Sequence, residues 1–201
     1  MKKLLLLSGL LLLASCHSKF EGKLDVAEQL KLKSKNGNTV ILSEGEQQAK
    51  VTVKSRSKIV LETSNNKFPF EIVLSEGEYP YTLTLAYKGI LSLRPGEYNV
   101  RAEDLNQPYD LNIKVDKTEI QTDTISETIS CIPWLASRSE MHPDYPKIGK
   151  MIVDYHNIVI KTDLVIELVS PETSKIVSTY QGENTTIKKK VYEKFYTCEV
   201  E

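Results

Sequence analysis

The chain has little of what most catalytic or metal centres are built from. Its 201 residues include three cysteines, three histidines, three methionines and one tryptophan. No C-x-x-C, H-E-x-x-H or G-x-S-x-G motif occurs, so the common redox, zinc-hydrolase and nucleophile-elbow arrangements are excluded. Its nine glycines are dispersed, with no more than one to a loop, too sparsely for a backbone cradle around phosphate. Charge of one sign is also missing. There are 26 basic and 27 acidic side chains and a formal net charge of −1, which gives no electrostatic case for nucleic acid. No long stretch repeats at 3.6 residues, and no apolar run reaches the roughly 20 residues needed to cross a bilayer as a helix.

The apolar run that does exist is short and stands first. Lys2 and Lys3 precede residues 4–13, which are leucine except for Ser8, Gly9 and nothing else. A basic start followed by a short apolar core reads as a cleaved export signal over residues 1–15. It ends in Leu13-Ala14-Ser15-Cys16, which resembles the lipobox of bacterial lipoproteins. The resemblance covers 16 residues. It implies that the Cys16 thiol carries a diacylglycerol, that residues 16–20 are a tether, and that the protein sits in the cell envelope. His17 stands where an aspartate retains many such proteins in the inner membrane, so the outer membrane is expected. Acyl chains hold firmly because each buried methylene contributes about 0.8 kcal/mol. With Cys16 lipidated, Cys131 and Cys198 remain as an even pair, and an oxidising compartment favours their disulfide. Two reduced, buried thiols are the alternative.

Beyond the signal, apolar and polar residues alternate in short bursts. Leu30-Lys31-Leu32-Lys33, Val51-Thr52-Val53-Lys54, Leu83-Thr84-Leu85 and Leu111-Asn112-Ile113-Lys114-Val115 place their apolar side chains on one face, as do Leu164, Ile166 and Leu168. This is the period of half-buried strands. About a dozen short strands are expected, in an all-β fold: an antiparallel sandwich, two small sandwiches in tandem, or a barrel. Asn36-Gly37 marks one tight turn. Leu42-Ser43-Glu44-Gly45-Glu46 recurs as Leu74-Ser75-Glu76-Gly77-Glu78, with a looser third copy at residues 93–98. Each reads as a strand end, a glycine turn and a new strand. The third copy continues as Leu93-Arg94-Pro95-Gly96-Glu97-Tyr98-Asn99-Val100. It resembles the hairpin of PEGA domains and of collagen-adhesin and transthyretin-like sandwiches. In those the Pro-Gly turns the chain and the Tyr packs at the sheet edge, and the domains serve as spacers and binding modules. Polar residues 116–124 suggest a division into a repeat-containing domain, 21–117, and a second domain or second half, 118–201.

Candidate sites are few. Glu140, His142, Asp144, Asp154 and His156 are the richest gathering of ligand-type side chains. On a strand Asp154 and His156 point to one side, and with His142 and Asp144 they offer mixed N/O ligands to a divalent metal. The alternative is turn chemistry and solvent-facing side chains. Lys31, Lys33, Lys35, Lys50, Lys54, Arg56 and Lys58 form a basic stripe if both strands alternate as read, able to face lipid headgroups, lipopolysaccharide phosphates or anionic glycan, or merely to be the solvated face of a sheet whose lysines block edge pairing. Trp134, Tyr145, Tyr155 and Tyr109 are a candidate aromatic platform. Residues 133–150, irregular and holding the one Trp, are a candidate binding loop. The reading that follows is a membrane-tethered, non-enzymatic module with an envelope protein or glycan as partner and no cofactor. A metal-dependent or hydrolytic envelope enzyme centred on residues 140–156, and an inhibitor or adhesin acting through residues 133–150, are the alternatives.

Overall fold

A computed structural model of the chain describes residues 18–54, 58–73, 88–131 and 149–199. Among them the fold is all-β. The strands are β1 (Ser18–Val26), β2 (Leu30–Lys33), β3 (Thr39–Leu42), β4 (Gly45–Lys54), β5 (Lys58–Glu62), β6 (Lys67–Glu71), β7 (Gly96–Val100), β8 (Asp110–Gln121), β9 (Ile125–Cys131), β10 (Gly149–Val169) and β11 (Ile176–Phe195). Nine of them form one antiparallel sheet in the order β6-β5-β4-β1-β11-β10-β8-β7, with β9 also paired to β10, and β2–β3 is a separate hairpin.

The alternation in the sequence produces the core directly. Along β1, Phe20, Leu24 and Val26 are buried; along β8, Leu111, Ile113 and Val115; along β10, Leu164, Ile166 and Leu168. Register aligns them, Leu164 opposite Val115, Ile166 opposite Ile113 and Leu168 opposite Leu111. Each such side chain contributes roughly 1.5–3 kcal/mol on burial. Tyr180 of β11 fills the centre of this face, and its hydroxyl donates to the Phe20 carbonyl at 2.9 Å. Its ring lies where a side chain at Gly182 would be, so glycine is required there by close approach.

The sheet curls into a half-barrel. The isolated pairing of Ile72 with Leu105 joins the end of edge strand β6 to the segment leading into β8, near the other end of the strand order. Buried Gln107 completes the closure. Its Nε2 donates to the carbonyls of Pro69 (2.7 Å) and Lys33 (2.8 Å), and its Oε1 accepts from the Lys33 amide (2.9 Å). The β2–β3 hairpin lies over the concave side with Leu30, Leu32 and Leu42 buried in the common core. Its turn has Gly37 at φ 81°, as Asn36-Gly37 predicts. The barrel alternative is therefore closer than two sheets packed face to face, because β1 and β11, from opposite ends of the chain, are hydrogen-bonded neighbours.

The repeat is met in part. Leu42 ends β3 and Gly45, at φ 117°, starts β4. The second copy lies outside the described residues. In the third, Gly96 starts β7, but a single helical turn, residues 88–91, precedes it in place of a strand. Tyr98 packs against the core and donates to the Arg94 carbonyl at 2.8 Å.

Two strands are much longer than expected. β10 has 21 residues and β11 has 20. Both run past the core, joined on the far side of β10 by the end of β8 and by β9. Residues 122–124 bulge between β8 and β9, where the Thr122 amide donates to the Asn157 carbonyl at 2.9 Å and the Asn157 amide to Thr122 Oγ1 at 3.0 Å. The polar character of residues 116–124 thus reflects a strand leaving the core. The result is a three-stranded arm extending from the half-barrel. Cys131 and Cys198 form a disulfide at its tip, Cα–Cα 6.0 Å. It passes beside Gly149, where an added Cβ would stand 3.0 Å from Cys198 Sγ.

Candidate functional site

The curled sheet offers no enclosed ligand site among the described residues. Leu24, Ile59, Leu61, Phe70, Leu111 and Tyr180 fill its concave side and leave space for about one water. Burial pushes the Tyr180 hydroxyl well above the usual phenol range.

The arm differs from the body in what it exposes. Register places Ile120, Val159 and Ile187 in one row, Ile125, Tyr155 and Tyr192 in the next, and Glu127, Val153 and Phe195 in a third. Side chains at paired positions share a face, so all nine lie on one side of the arm. Five of them are large, apolar and 40–68 % exposed: Ile120, Ile125, Ile187, Tyr192 and Phe195. Closer to the body the same face is polar, with Asp116, Asp163 and Glu183 in one row. The aromatic side chains are in mutual contact. Tyr155 and Tyr192 have ring centroids 6.1 Å apart, and Tyr192 and Phe195 5.4 Å. Lys190 Nζ stands 3.5 Å over the Tyr155 ring and donates to Glu127, and that hydrogen bond raises its pKa.

The opposite face of the arm carries Ser126, Asp154 and Lys194. Asp154 and His156 lie on one side of β10, as the spacing predicts, but each has its own partner. Asp154 accepts from Ser126 Oγ (2.6 Å) and the Tyr196 hydroxyl (2.7 Å). These bonds, Ser126 first, lower its pKa below the ordinary carboxylate value. His156 Nδ1 donates to Glu193 Oε1 at 2.6 Å, and Thr124 Oγ1 to Glu193 Oε2 at 3.1 Å. No group of three His, Cys, Asp or Glu side chains able to hold a metal occurs among the described residues. Glu140, His142 and Asp144 lie outside them, as do Cys16, Arg56, Trp134 and Tyr145 and most of residues 133–150.

The lysines expected as one stripe fall on two sheets. Lys31 and Lys33 belong to the β2–β3 hairpin, while Lys50 and Lys54 belong to β4. The hairpin is not paired with β4, whose neighbours are β5 and β1. Lys50 pairs with Glu21 at 2.8 Å and Lys58 with Glu71, exposed pairs of small energetic weight. Tyr109 is likewise far from Tyr155 in the fold. Its hydroxyl accepts from the Lys31 amide at 3.2 Å, helping to seat the hairpin.

Ile120, Ile125, Ile187, Tyr192 and Phe195 were not singled out by motif or spacing. Their signal is the length of uninterrupted strand: twenty residues with one glycine and no proline. Which residues share a face follows only from the register and its three irregularities along β11. Comparison of the chain with protein families, characterised proteins and solved structures gives no match.

Proposed function

We propose that this chain is a lipid-anchored, non-enzymatic module of the bacterial envelope, with the half-barrel as its rigid body and the arm as its working surface. The observation that supports a binding role is the gathering of exposed apolar side chains on one face of the arm. A soluble monomer rarely shows a contiguous apolar patch of more than a few hundred Å² without a use for it. The acid and base groups that lie near it, Asp154, His156 and Glu193, are taken up in hydrogen bonds that hold the strands together, which suits structure better than turnover. The lipobox-like Leu13-Ala14-Ser15-Cys16 supports the anchor. Radiolabelled palmitate tests it. The label enters the wild-type chain and is absent from Cys16→Ala; an unlabelled wild-type chain overturns the reading.

A further inference from the structure

We infer that the apolar face of the arm lies against the lipid bilayer beside the anchor. The inference rests on the lipidation of Cys16 and adds a second, non-covalent membrane contact to it. The direction of β1 carries the argument. β1 runs antiparallel to β11, Glu21 opposite Glu183, and Asn184 Nδ2 donates to the Lys19 carbonyl at 2.7 Å. Followed back to its start, β1 therefore heads toward the arm, and Ser18 stands at the arm's base. Cys16 precedes Ser18 by two residues, at most about 7 Å of chain. On the same side β11 runs on to Phe195, roughly 30 Å beyond that level at ~3.3 Å per residue. A bilayer drawn to Cys16 thus meets the arm along its length.

The surface of the arm suits that contact. Its five exposed apolar side chains are 40–68 % exposed, and Val153, between Glu127 and Phe195 in the same face, is buried. Tyr192 and Phe195 sit near the tip, and Lys190, paired with Glu127, lies on the same face, while Lys188 and Lys189 turn to the other side. Aromatic rings and snorkelling lysines are the side chains that favour the boundary between acyl chains and headgroups, and lysine also meets anionic headgroups. Past Glu183 no strand pairs with the outer edge of β11 among the described residues. Unpaired backbone groups forbid passage through the hydrocarbon core. The opposite face carries Ser126, Asp154 and Lys194, with two exposed large side chains, Ile152 and Tyr196, against five on the first face. The arm therefore lies flat on the bilayer, apolar side down, as an amphipathic helix does.

Fluorescence quenching by brominated lipid tests this on the full chain, processed in bacteria and reconstituted into phosphatidylethanolamine–phosphatidylglycerol vesicles. Trp134 is replaced by Phe, and a single tryptophan is placed on the arm (Phe195→Trp, or Tyr192→Trp as a second reporter) or at the far end of β11 (Ile176→Trp). Brominated acyl chains are expected to quench the arm reporters at least threefold more than the Ile176→Trp reporter. Equal quenching overturns the inference. So does an arm reporter with blue-shifted emission but no quenching: with doubled mass it shows a second copy on the face, and with monomer mass it shows residues 132–148 there. Intact mass of the same preparation reports the acyl groups on Cys16. Their absence defeats the anchor alone, because quenching of the arm reporters still decides the bilayer contact.

Discussion

Removing the disulfide is expected to loosen the arm first. The perturbation is Cys131→Ser with Cys198→Ser, or reduction of the native chain. The two cysteines are separated by 67 positions, and the chain-entropy model assigns a closure of that size about 4 kcal/mol. Few buried side chains in the arm resist opening. Among the described residues past the body, Cys131, Gly149, Val153 and His156 are buried, and β11 is exposed along most of its last ten residues. At the tip the other ties include the reciprocal backbone bonds of Lys150 and Glu199, 2.8 Å each, the Tyr196 amide to the Ile152 carbonyl at 2.9 Å, the Tyr196–Asp154 bond and the pairing of β9 with β10. An opening energy lower by about 4 kcal/mol is a change of roughly 10³-fold. Hydrogen exchange followed residue by residue is the assay. Amides of residues 153–160 and 187–195 are expected to exchange up to about 10³-fold faster without the disulfide. At roughly 2–4 °C per kcal/mol, the melting temperature falls by at most about 8–16 °C. If those amides keep their protection in the double variant, cross-strand packing alone holds the arm, and the reasoning fails.

Three further outcomes follow from the body and the arm. Gln107→Ala strands the Lys33 and Pro69 carbonyls and the Lys33 amide that the side chain satisfies; urea unfolding should show a loss of about 2–4 kcal/mol, and a loss below about 1 kcal/mol would show that the half-barrel closes without it. Tyr180→Phe keeps the ring but leaves the Phe20 carbonyl without its donor, lowering stability by about 1–2 kcal/mol. In the wild type the raised Tyr180 pKa means that only the unfolded chain ionises as pH climbs past the ordinary value of 10.0. Stability should therefore fall above that pH, and a smaller fall in Tyr180→Phe, read from unfolding curves at successive pH values, checks the assignment. Asp154 has the opposite sign: its lowered pKa gives stability that is complete above the ordinary value of 3.8 and lost as pH falls through the lower folded value. Exchange at Tyr196 should accelerate over that acidic range in the wild type, and Asp154→Asn should show fast exchange at every pH.

How far the sequence could be read depends on the range of the interaction. The β2–β3 turn at Asn36-Gly37, the strand start at Gly45 and the buried faces of β1, β8 and β10 all arise within a few residues, and period and turn chemistry expose them. The Cys131–Cys198 pair was legible by parity once Cys16 was set aside. The pairing of β1 with β11 leaves no local mark, since nothing in Phe20, Leu24 and Val26 says which strand lies beside them. The closure through Gln107 is equally silent: a lone glutamine before a strand looks like any loop residue. For Asp154 and His156 the shared face was legible, while their partners were not: Ser126 depends on the pairing of β9 with β10, and Glu193 and Tyr196 on a bulge in β11 that no spacing rule locates. Alternation likewise does not say that Lys31 and Lys33 stand on one hairpin and Lys50 and Lys54 on another sheet.

The arm also poses an energetic question that bears on its use. A strand with few buried side chains has little apolar burial to offset the entropy of ordering its backbone, about 1–2 kcal/mol per residue, and isolated hairpins are marginal in water. Cross-strand contacts such as Tyr155–Tyr192 with Lys190 contribute roughly 0.2–1 kcal/mol each, and ion pairs such as Lys188–Glu119 and Lys190–Glu127 add little at an exposed surface. The disulfide is the largest single restraint, and it acts at the end farthest from the core. Extending three strands beyond the body therefore gains the fold almost nothing, while it does produce one ordered face bearing Ile120, Ile125, Ile187, Tyr192 and Phe195. If those five side chains find apolar surroundings only when something covers them, covering them stabilises the arm in turn. Exchange protection over residues 187–195 should then rise on binding to vesicles, most visibly in the reduced protein, where the arm is otherwise free to open.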